Sequence, residues 1–335
     1  MNTVLLIDCD SFFEDDPEYL GLSNRSSKTT QFFIAKALRA GKHAVSIIPY
    51  RSDIEALILA LKQKKPDLVF NLVFHHDYDR RGEAYIPTIL DMLKIRYTGP
   101  DSYGIFIAND KKVSKDILQQ NGILVPYCVE FTRDKRIRYD NISYPVIVKP
   151  NYEHGSISID NKNIAQNQDQ LKIALKRLFD IGYQNLLVES FIIGKEVTVA
   201  VIGNGKNVEV FPPREMVFSN DNSMSGWSIL TRDIKRSASF RKKHEIYSTK
   251  LAGNKALISN VKNIAKRAFS ILKMRDYARI DMRITPDRKV YVIEVNCNPC
   301  LKPGKETIFD PFSGLSFNSV IRKIIEANTT NNRLS

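Results

Sequence analysis

Cysteine is scarce in this sequence: 335 residues contain four, at positions 9, 128, 297 and 300. Four are too few for a disulfide framework in a chain of this length, and one C-x-x-C pair without a second pair does not make a zinc site. Apolar runs long enough to span a bilayer, about 18–20 residues, are also lacking, and the N-terminus has no basic signal-peptide region. We therefore expect a soluble, cytoplasmic protein.

An excess of acidic residues is lacking too, since 50 lysines and arginines outnumber 37 aspartates and glutamates and give a net charge of +13. Such a charge favours anionic partners: nucleotides, acidic substrates or nucleic acid. The basic residues are mostly scattered, and the dense stretches at 62–65 and 240–244 are typical of solvated helix faces or a loop. Because no known nucleic-acid-binding motif accompanies them, a nucleic-acid partner is the less favoured alternative.

No G-x-G-x-x-G follows the first predicted strand, which argues against a dinucleotide site. The first hundred residues instead alternate apolar strands ("TVLLID", "HAVSIIPY", "PDLVFNLV") with amphipathic helices. Gly41 is a candidate helix C-cap and Asp53 a candidate N-cap. A β-α-β-α-β order predicts a parallel sheet whose ligands collect at the C-terminal strand ends, here near Asp8, Asp10 and residues 71–77.

The rest of the chain mixes helices and strands without an internal repeat. Helices are predicted at "SKDILQQNGI", at "QDQLKIALKRLFDIG" and over 254–274, and strands dominate 186–300. The polar stretch 214–250 is predicted to be a long loop, and the tail from Asn328 onward to be frayed. Hydrophobic residues make up 43% of the chain, so a sizeable core is expected, and the length favours two or three domains.

Two alternating runs in "YARIDMRITPDRKVYVIEVN" predict a β-hairpin that turns at "TPDRK". A turn centred on 287–288 sets Asp281 opposite Glu294 and Arg279 opposite Asn296. Two carboxylates about 5 Å apart on one face repel each other unless a cation lies between them. With the amide of Asn296, the ligands are all oxygen, which suits Mg²⁺. The alternatives are a solvated face with an accidental charge pair and, less favoured, a thiol site at "CNPC".

Several segments resemble the ATP-grasp superfamily. "ARIDMRI…VYVIEVNCNPCL" resembles its metal-binding end, "YPVIVKPNYEHGSISI" its strand lysine and phosphate-covering loop, and "LLVESFIIGKEVTVAVIG" its adenine hinge and ribose acid. "FNLVF…IPTILDMLKIRYTGPD…NDKKVSKDILQQNGILVP" is similar to the D-alanine–D-alanine ligase-like branch, and together these segments cover residues 66–303. The resemblance implies an α/β fold with a parallel-sheet pre-ATP-grasp domain at 1–102. A central α+β lobe at 103–186 and a C-terminal lobe with the metal site at 187–335 would follow it.

The resemblance also implies a set of ATP contacts. Two lysines would bind the phosphates, a loop would cover them, and acids and backbone groups would bind the base and the ribose. They are Lys111 and Lys149 for the phosphates, Glu153, Gly155 and Ser156 for the loop, Glu189 for the adenine amino group, the backbone of Ser190, Phe191 and Ile192 for the ring edge, and Glu196 for the ribose.

The implied chemistry is an ATP-dependent carboxylate–amine ligation that forms an amide bond through an acylphosphate. One or two Mg²⁺ ions, with Mn²⁺ as a substitute, are implied on Asp281, Glu294 and Asn296. Arg279 is implied to stabilise the tetrahedral oxyanion, and Lys235, in a closing loop, is a candidate contact for substrate or phosphate. Two alternatives stay open: a phosphotransferase on the same fold, and a non-catalytic nucleotide-binding module.

Departures from the branch argue against D-alanine as the first substrate. Where the branch has a glycine-rich segment with a glutamate and a His-Gly…Gly-Glu-Asp-Gly loop, this chain has "IDCDSFFEDDPEYLG" and "HHDYDRRGEA". Cys300 and Ser158 stand at positions usually held by glycine, and Arg236 stands where D-alanine enzymes have tyrosine. We expect small amino acids or peptides as partners, including an acidic peptide acceptor, with no membrane involved. The branch is commonly dimeric, which allows a homodimer.

Overall fold

The computed structural model describes residues 1–133, 135, 139–153, 159–218, 234, 237–301, 303 and 315–329, and the structural statements below concern those residues. No helix within these ranges is long and apolar enough to cross a membrane. The positions named above that fall outside these ranges are Gly155, Ser156, Ser158, Lys235 and Arg236.

A parallel sheet with helices on both faces forms the N-terminal part, which confirms the predicted order of strands and helices. The central strand is buried on both sides, because Leu5 and Ile7 face one apolar cluster and Val4 and Leu6 the other. Asp53 accepts a first-turn N–H at 2.9 Å and caps the second helix as predicted. In sheet order β2-β1-β3, the elements are β1 (Asn2–Asp8), α1 (Thr30–Ala40), β2 (Ala44–Tyr50), α2 (Ile54–Lys64), β3 (Leu68–Leu72) and α3 (Tyr85–Met92).

The central part is an antiparallel sheet covered by one long helix. Leu171, Leu175 and Leu178 of that helix are buried against the sheet. The helix ends at Gly182, whose φ of +115° favours glycine, as predicted. In sheet order β4-β7-β5-β6, the elements are α4 (Ser102–Asn109), α5 (Lys111–Gln120), β4 (Cys128–Thr132), β5 (Val146–Pro150), β6 (Ile164–Ala165), α6 (Gln168–Ile181) and β7 (Asn185–Ser190).

A larger antiparallel sheet forms the C-terminal part, and a long helix packs on one of its faces. That helix buries Val261, Ala265 and Phe269 against valines of the central strand, such as Val197 and Val199. In sheet order β11-β10-β8-β12-β13, with β9 on β8, the elements are β8 (Lys195–Ile202), β9 (Glu209–Val210), β10 (Arg214–Val217), α7 (Ala238–Lys243), β11 (Tyr247–Lys250), α8 (Lys255–Ile271), β12 (Tyr277–Ile284), β13 (Val290–Asn296) and α9 (Phe317–Thr329).

Two sequence-based expectations are wrong within the described residues. The stretch 214–250 is not one long loop, because β10 and β11 form at its two ends and pair with each other. These four-residue strands are half-polar and have no local apolar pattern; β10 forms by pairing with β8, and β11 by pairing with β10. Of the tail predicted to be frayed, Asn328 is fully buried near the end of α9, and residues 330–335 lie outside the described ranges. The domain boundaries stay a prediction; the residues on either side of the one at 186/187 both lie in β7.

Asn328 belongs to a buried hydrogen-bond network that joins the N-terminal domain to the C-terminal sheet. Asp276, fully buried, accepts from Gly99 N–H at 2.9 Å, Asn204 Nδ2 at 2.8 Å and Asn328 Nδ2 at 3.0 Å. Asn328 also donates to the Tyr97 carbonyl at 2.5 Å. A buried carboxylate needs such donors, so this network fixes the segment after α3 against the C-terminal sheet.

Candidate active site

The β12–β13 hairpin brings together the residues predicted to hold a metal. Asp281 pairs with Glu294 and Arg279 pairs with Asn296, as predicted. The predicted turn centre is wrong, however, because Ile284 pairs with Val290 and the turn is centred one half-residue earlier. The discrepancy is absorbed by a β-bulge between these two parts of the ladder.

The bulged residue is Ile293, since Met282 pairs with Val292 while the preceding Asp281 pairs with Glu294. Without the bulge, Asp281 would lie opposite Ile293. The bulge shifts the alternation of β13 by one residue, so Val295 stays in the apolar core together with Val292. Glu294 is thereby turned to the face that carries Asp281.

Cations already balance part of the charge at this hairpin. Arg279 donates to Asp281 through Nε at 2.7 Å and Nη2 at 2.8 Å, and Asn296 Nδ2 donates to Asp281 Oδ2 at 2.9 Å. Lys111 Nζ lies 3.4 Å from Glu294 Oε1. Burial opposes the charge on Arg279, but the neighbouring carboxylates Asp281 and Glu294 raise its pKa, so it stays cationic.

The donor set of the hairpin fits a hard divalent cation. Asp281, Glu294 and Asn296 supply carboxylate and amide oxygens from adjacent strands, which is the ligand chemistry of Mg²⁺. Within the described ranges there is no group of three or more His, Cys, Asp and Glu side chains that could hold a metal. The candidate set therefore consists of two acids and an amide, and Mg²⁺ usually completes such a set with water and phosphate oxygens.

Three buried lysines converge beside the hairpin. Lys111, Lys115 and Lys149 have side chains 3%, 2% and 6% exposed. Glu189 is 1% exposed and forms ion pairs with two of them: its Oε1 lies 2.8 Å from Lys115 Nζ, and its Oε2 lies 2.8 Å from Lys149 Nζ. Counting Glu294 beside Lys111, three ammonium groups of the described residues face two carboxylates, a surplus of one positive charge among these five side chains. Such a surplus is costly unless an anion joins the cluster.

Burial and charge act in opposite directions on these groups. Burial would raise the pKa of Glu189, but Lys115 and Lys149 lower it below the usual value, so the carboxylate is ionised. Burial lowers the pKa of Lys111 to about 8, although Glu294 opposes the shift. Lys111 Nζ also donates to the carbonyl oxygens of Asn151, at 3.1 Å, and of Glu153. The backbone of Glu153, predicted to begin the phosphate-covering loop, is thus tied to the lysine cluster.

The segment predicted to be the adenine hinge connects β7 of the central sheet to β8 of the C-terminal sheet. Ser190 N–H donates to the Tyr127 carbonyl and Phe191 N–H to the Pro145 carbonyl, both at 2.9 Å. Arg283 Nη1 donates to the Ile192 carbonyl at 2.9 Å, and its guanidinium lies 4.7 Å from the Phe191 ring centroid.

Arg283 holds the predicted ribose acid as well. Its Nη2 donates to Glu196 Oε2 at 3.1 Å, and both side chains are largely buried. One guanidinium therefore links the hinge backbone, the Phe191 ring and Glu196, which places the predicted base-binding and ribose-binding groups side by side.

Comparison with known proteins identifies the family. The family model described as "D-ala D-ala ligase C-terminus" matches residues 117–326. The chain belongs to this family. It is 27% identical over 306 residues to a D-alanine–D-alanine ligase of Francisella tularensis subsp. novicida, covering 90% of this chain and 93% of that protein. Membership makes it an ATP-dependent carboxylate–amine ligase, an enzyme that forms C–N bonds.

Solved structures show the same ATP-grasp fold. The D-alanine–D-alanine ligase of Bacillus anthracis complexed with ATP superimposes with a TM-score of 0.72 at 20% identity, covering 98% of each chain. The VanG D-Ala:D-Ser ligase of Enterococcus faecalis superimposes with a TM-score of 0.68 at 18% identity, covering 98% of this chain and 99% of that one. The predicted fold class is confirmed.

Two residues of this ligase that sequence reasoning did not assign are central to the site. Lys115 follows Lys111 by one helical turn, so the two share a face of α5, and that spacing could have indicated a second buried lysine. Arg283 alternates with Arg279 and Asp281 on the polar face of β12, but its partners come from the segment after β7 and from β8, which no local pattern reveals.

The C-x-x-C pair does not form a thiol site. Cys297 is buried and packs in the main apolar core, while Cys300 is exposed, with Sγ 3.4 Å from Thr30 Oγ1. Burial raises the pKa of the Cys297 thiol well above its usual value, so it stays protonated. The oxygen-ligand interpretation of the hairpin fits this geometry, and the two cysteines lie in different environments.

A second group of acids lies where the N-terminal strands end, as the parallel-sheet argument predicted. Burial raises the pKa of Asp8 to about 6, although His75 Nε2 is 3.7 Å away and Phe74 N–H donates to the carboxylate. Burial likewise raises the pKa of Glu83 to about 7, against the nearby charge of Arg80. Asp10 is more exposed and pairs with Arg51 at 3.1 Å. Glu83 belongs to "HHDYDRRGEA" and was not predicted to be buried.

Proposed function

We propose that this ligase binds MgATP between the lysine cluster and the hinge and joins an amino-acid or peptide carboxylate to an amine. The observation that carries the proposal is the surplus of one buried positive charge next to the paired acids of the hairpin. Triphosphate is an anion of suitable size and charge for that position. An ATP-dependent ligase has to hold its phosphates where a metal can also reach them.

Two lysines and the covering loop are the proposed phosphate ligands. Lys149 closes β5 and reaches Glu189, so it can shift toward an incoming phosphate while Lys115 still neutralises that carboxylate. Lys111 holds the loop backbone at Asn151 and Glu153. Gly155 and Ser156 keep their proposed place in that loop on the family resemblance alone.

The hinge is the proposed base site. Since the N–H groups of Ser190 and Phe191 are bonded to Tyr127 and Pro145, the N–H of Ile192 is the group left to meet the ring edge. Glu189 can accept the adenine amino group while paired, because each carboxylate oxygen has two lone pairs. Glu196 would bind the ribose hydroxyls from the position where Arg283 holds it.

Asp281, Glu294 and Asn296 are the proposed ligands of one or two Mg²⁺ ions. A bound Mg²⁺ would supply positive charge to the phosphate oxygens of ATP. The chain itself provides a rigid pair of strands, oxygen ligands on one face, and Lys111 and Arg279 beside them.

In the proposed reaction a substrate carboxylate oxygen attacks the γ-phosphorus of ATP, and ADP leaves. The amine of the second substrate then attacks the acyl carbon, the amide bond forms, and phosphate leaves with the acyl oxygen. Two of the five N–H groups of Arg279 donate to Asp281, so the others can stabilise the oxyanion of the tetrahedral intermediate. Lys235 is proposed, on resemblance alone, to contact substrate or phosphate.

The substrates need not be D-alanine, although relatives are named for D-alanine and D-serine. The acids Asp8 and Glu83, both with raised pKa, occupy the end of the N-terminal sheet where a first substrate would enter. The net charge of +13 would favour an acidic peptide acceptor. We also propose that the protein is cytoplasmic and forms a homodimer.

The deciding experiment measures ADP and phosphate release from MgATP against pooled D- and L-amino acids and short peptides, with products identified by mass spectrometry. We expect release to require two substrates, an amide product, and loss of both in Glu294→Gln. A phosphorylated product without an amide would show a phosphotransferase instead. Nucleotide binding with no turnover in any pool would contradict the proposed substrate class.

A further inference from the structure

We infer that Lys115 is a positioning residue for the metal-binding acids and acts by fixing the β-bulge at Ile293. The inference rests on the proposed function of the hairpin. Lys115 touches none of the reacting groups assigned above, but its Nζ donates to the Ile293 carbonyl at 2.8 Å and pairs with Glu189 at 2.8 Å. Its side chain is 2% exposed, so these contacts lie in a dry environment.

The bulge needs a partner from outside the sheet. An extra residue on one strand has no counterpart in the ladder, so its polar backbone groups have to be satisfied elsewhere. In the part of the chain that the structure describes, β13 is also the edge strand of its sheet, with no neighbouring strand on one side. Helix α5 and the loop after it cover that side: Lys115 of the helix donates to the Ile293 carbonyl, and the Leu124 carbonyl of the loop accepts the N–H of Val292 at 2.9 Å.

Loss of the bulge would change both the metal site and the core, because it would turn Glu294 away from Asp281 and Val295 out of the apolar core. A shift of one residue in β13 would place the apolar Ile293, and not Glu294, opposite Asp281. Of the two outside contacts at the bulge, the one from Lys115 is charged, and a charged donor binds a carbonyl about twice as strongly as a neutral one. The Lys115 ammonium group therefore fixes the register that places Glu294 opposite Asp281.

A purely structural role for Lys115 makes a different prediction. If the lysine only neutralised Glu189, its removal would disturb the nucleotide side of the cluster, where Glu189 would keep Lys149 as its partner. Nucleotide affinity would then change equally with and without Mg²⁺. A positioning role instead changes the gain in affinity that Mg²⁺ provides.

The test is the dissociation constant of ADP, measured by calorimetry in EDTA and in excess Mg²⁺, for the full chain and for Lys115→Met. We expect Mg²⁺ to tighten ADP binding in the wild type and that gain to fall about 10–100-fold in the variant, as is usual when a supporting contact of a metal ligand is lost. Lys112→Met is the matched control, because Lys112 lies on the same helix and its ammonium group pairs with the partly exposed Asp116.

The outcomes separate the two proposals. An unchanged Mg²⁺ gain in folded Lys115→Met would overturn the positioning role and leave the proposed function standing. Absence of any ADP binding by the wild type would instead overturn the proposed function. If Lys115→Met does not fold, Lys115→Gln is measured in its place; it keeps a shorter N–H donor and is expected to lose part of the gain.

Discussion

Two groups of buried carboxylates in this protein differ in their state of ionisation. Beside the hairpin, Glu189 is 1% exposed, yet two lysines lower its pKa below the usual value. At the end of the N-terminal sheet, burial raises the pKa of Glu83 to about 7 and of Asp8 to about 6. The burial is similar, so the difference comes from the cations that contact each acid.

The comparison shows how one fold supplies two kinds of surface. The lysine-rich side keeps its acids ionised and still carries surplus positive charge, which suits phosphate and metal. The acids at the end of the N-terminal sheet titrate near neutral pH. This suits a polar substrate, because the charge of the bound substrate would determine whether these acids are protonated. Variants that remove a charge on one side should therefore act differently from variants on the other.

The largest effect is expected from Asp281→Asn, which removes a proposed metal ligand and the partner of Arg279. We expect turnover to fall by about a thousandfold or more, since the metal contributes several kcal/mol to the reaction. The measurement is the rate of ADP release at saturating MgATP. Asp287→Asn, at the exposed turn of the same hairpin, serves as the control, and equal losses in both would contradict a specific role for Asp281.

Lys149→Met should weaken nucleotide binding by roughly a hundredfold, because truncating one partner of a buried charge pair costs about 2–5 kcal/mol. The loss is expected to be the same with and without Mg²⁺, in contrast to Lys115→Met. Calorimetry with ADP gives both values. The control is Lys176→Met, which changes an exposed lysine paired with Asp180 and should bind ADP like the wild type. A loss of affinity in Lys149→Met that depends on Mg²⁺ would contradict the separate roles of Lys149 and Lys115.

The Glu83→Gln variant tests the acids at the end of the N-terminal sheet through its effect on the free energy of unfolding. The folded pKa, about 7, lies above the usual value of 4.5, so the contribution of Glu83 is complete below pH 4.5 and is lost as the pH rises through about 7. Glutamine does not titrate. As the pH rises from 5 to 8, the free energy of unfolding of the variant should therefore rise by about 2–3 kcal/mol relative to that of the wild type. Urea unfolding at both pH values measures this.

Glu55→Gln, at an exposed position of α2, is the control for that experiment and should show no such relative gain. A Glu83→Gln variant whose stability stays parallel to the wild type across the pH range would mean that Arg80 compensates the charge of Glu83. The contrast between the two acid groups would then disappear.

The smallest effect is expected from Arg283→Gln, which frees the hinge and Glu196 without touching the phosphates. We expect the KM for ATP to rise about tenfold while kcat changes little, as when binding common to the ground and transition states is lost. Steady-state kinetics against Arg288→Gln, in the hairpin turn, measure this. A fall in kcat with an unchanged KM would place Arg283 in the chemistry instead.

Sequence reasoning succeeded where the signal is local. Alternation predicted β12 and β13, helical spacing predicted α6 up to Gly182, and the strand–helix order predicted the parallel sheet. The pairing of Asp281 with Glu294 was also obtained, although from a turn centre that was off by half a residue and a bulge that was not foreseen. The roles of the predicted ATP and metal residues stay predictions, and those at Gly155, Ser156 and Lys235 lie outside the described residues.

What sequence alone determined is thus the family, the order of elements and most of the chemical groups at the site, because these depend on residue type and short spacing. Tertiary structure decided which cation meets which acid. Lys115 reaches Ile293 across 178 positions, and Arg283 reaches Glu196 across 87. Such contacts depend on how two sheets and a helix pack together, and burial then sets opposite pKa shifts for carboxylates that look alike in the sequence.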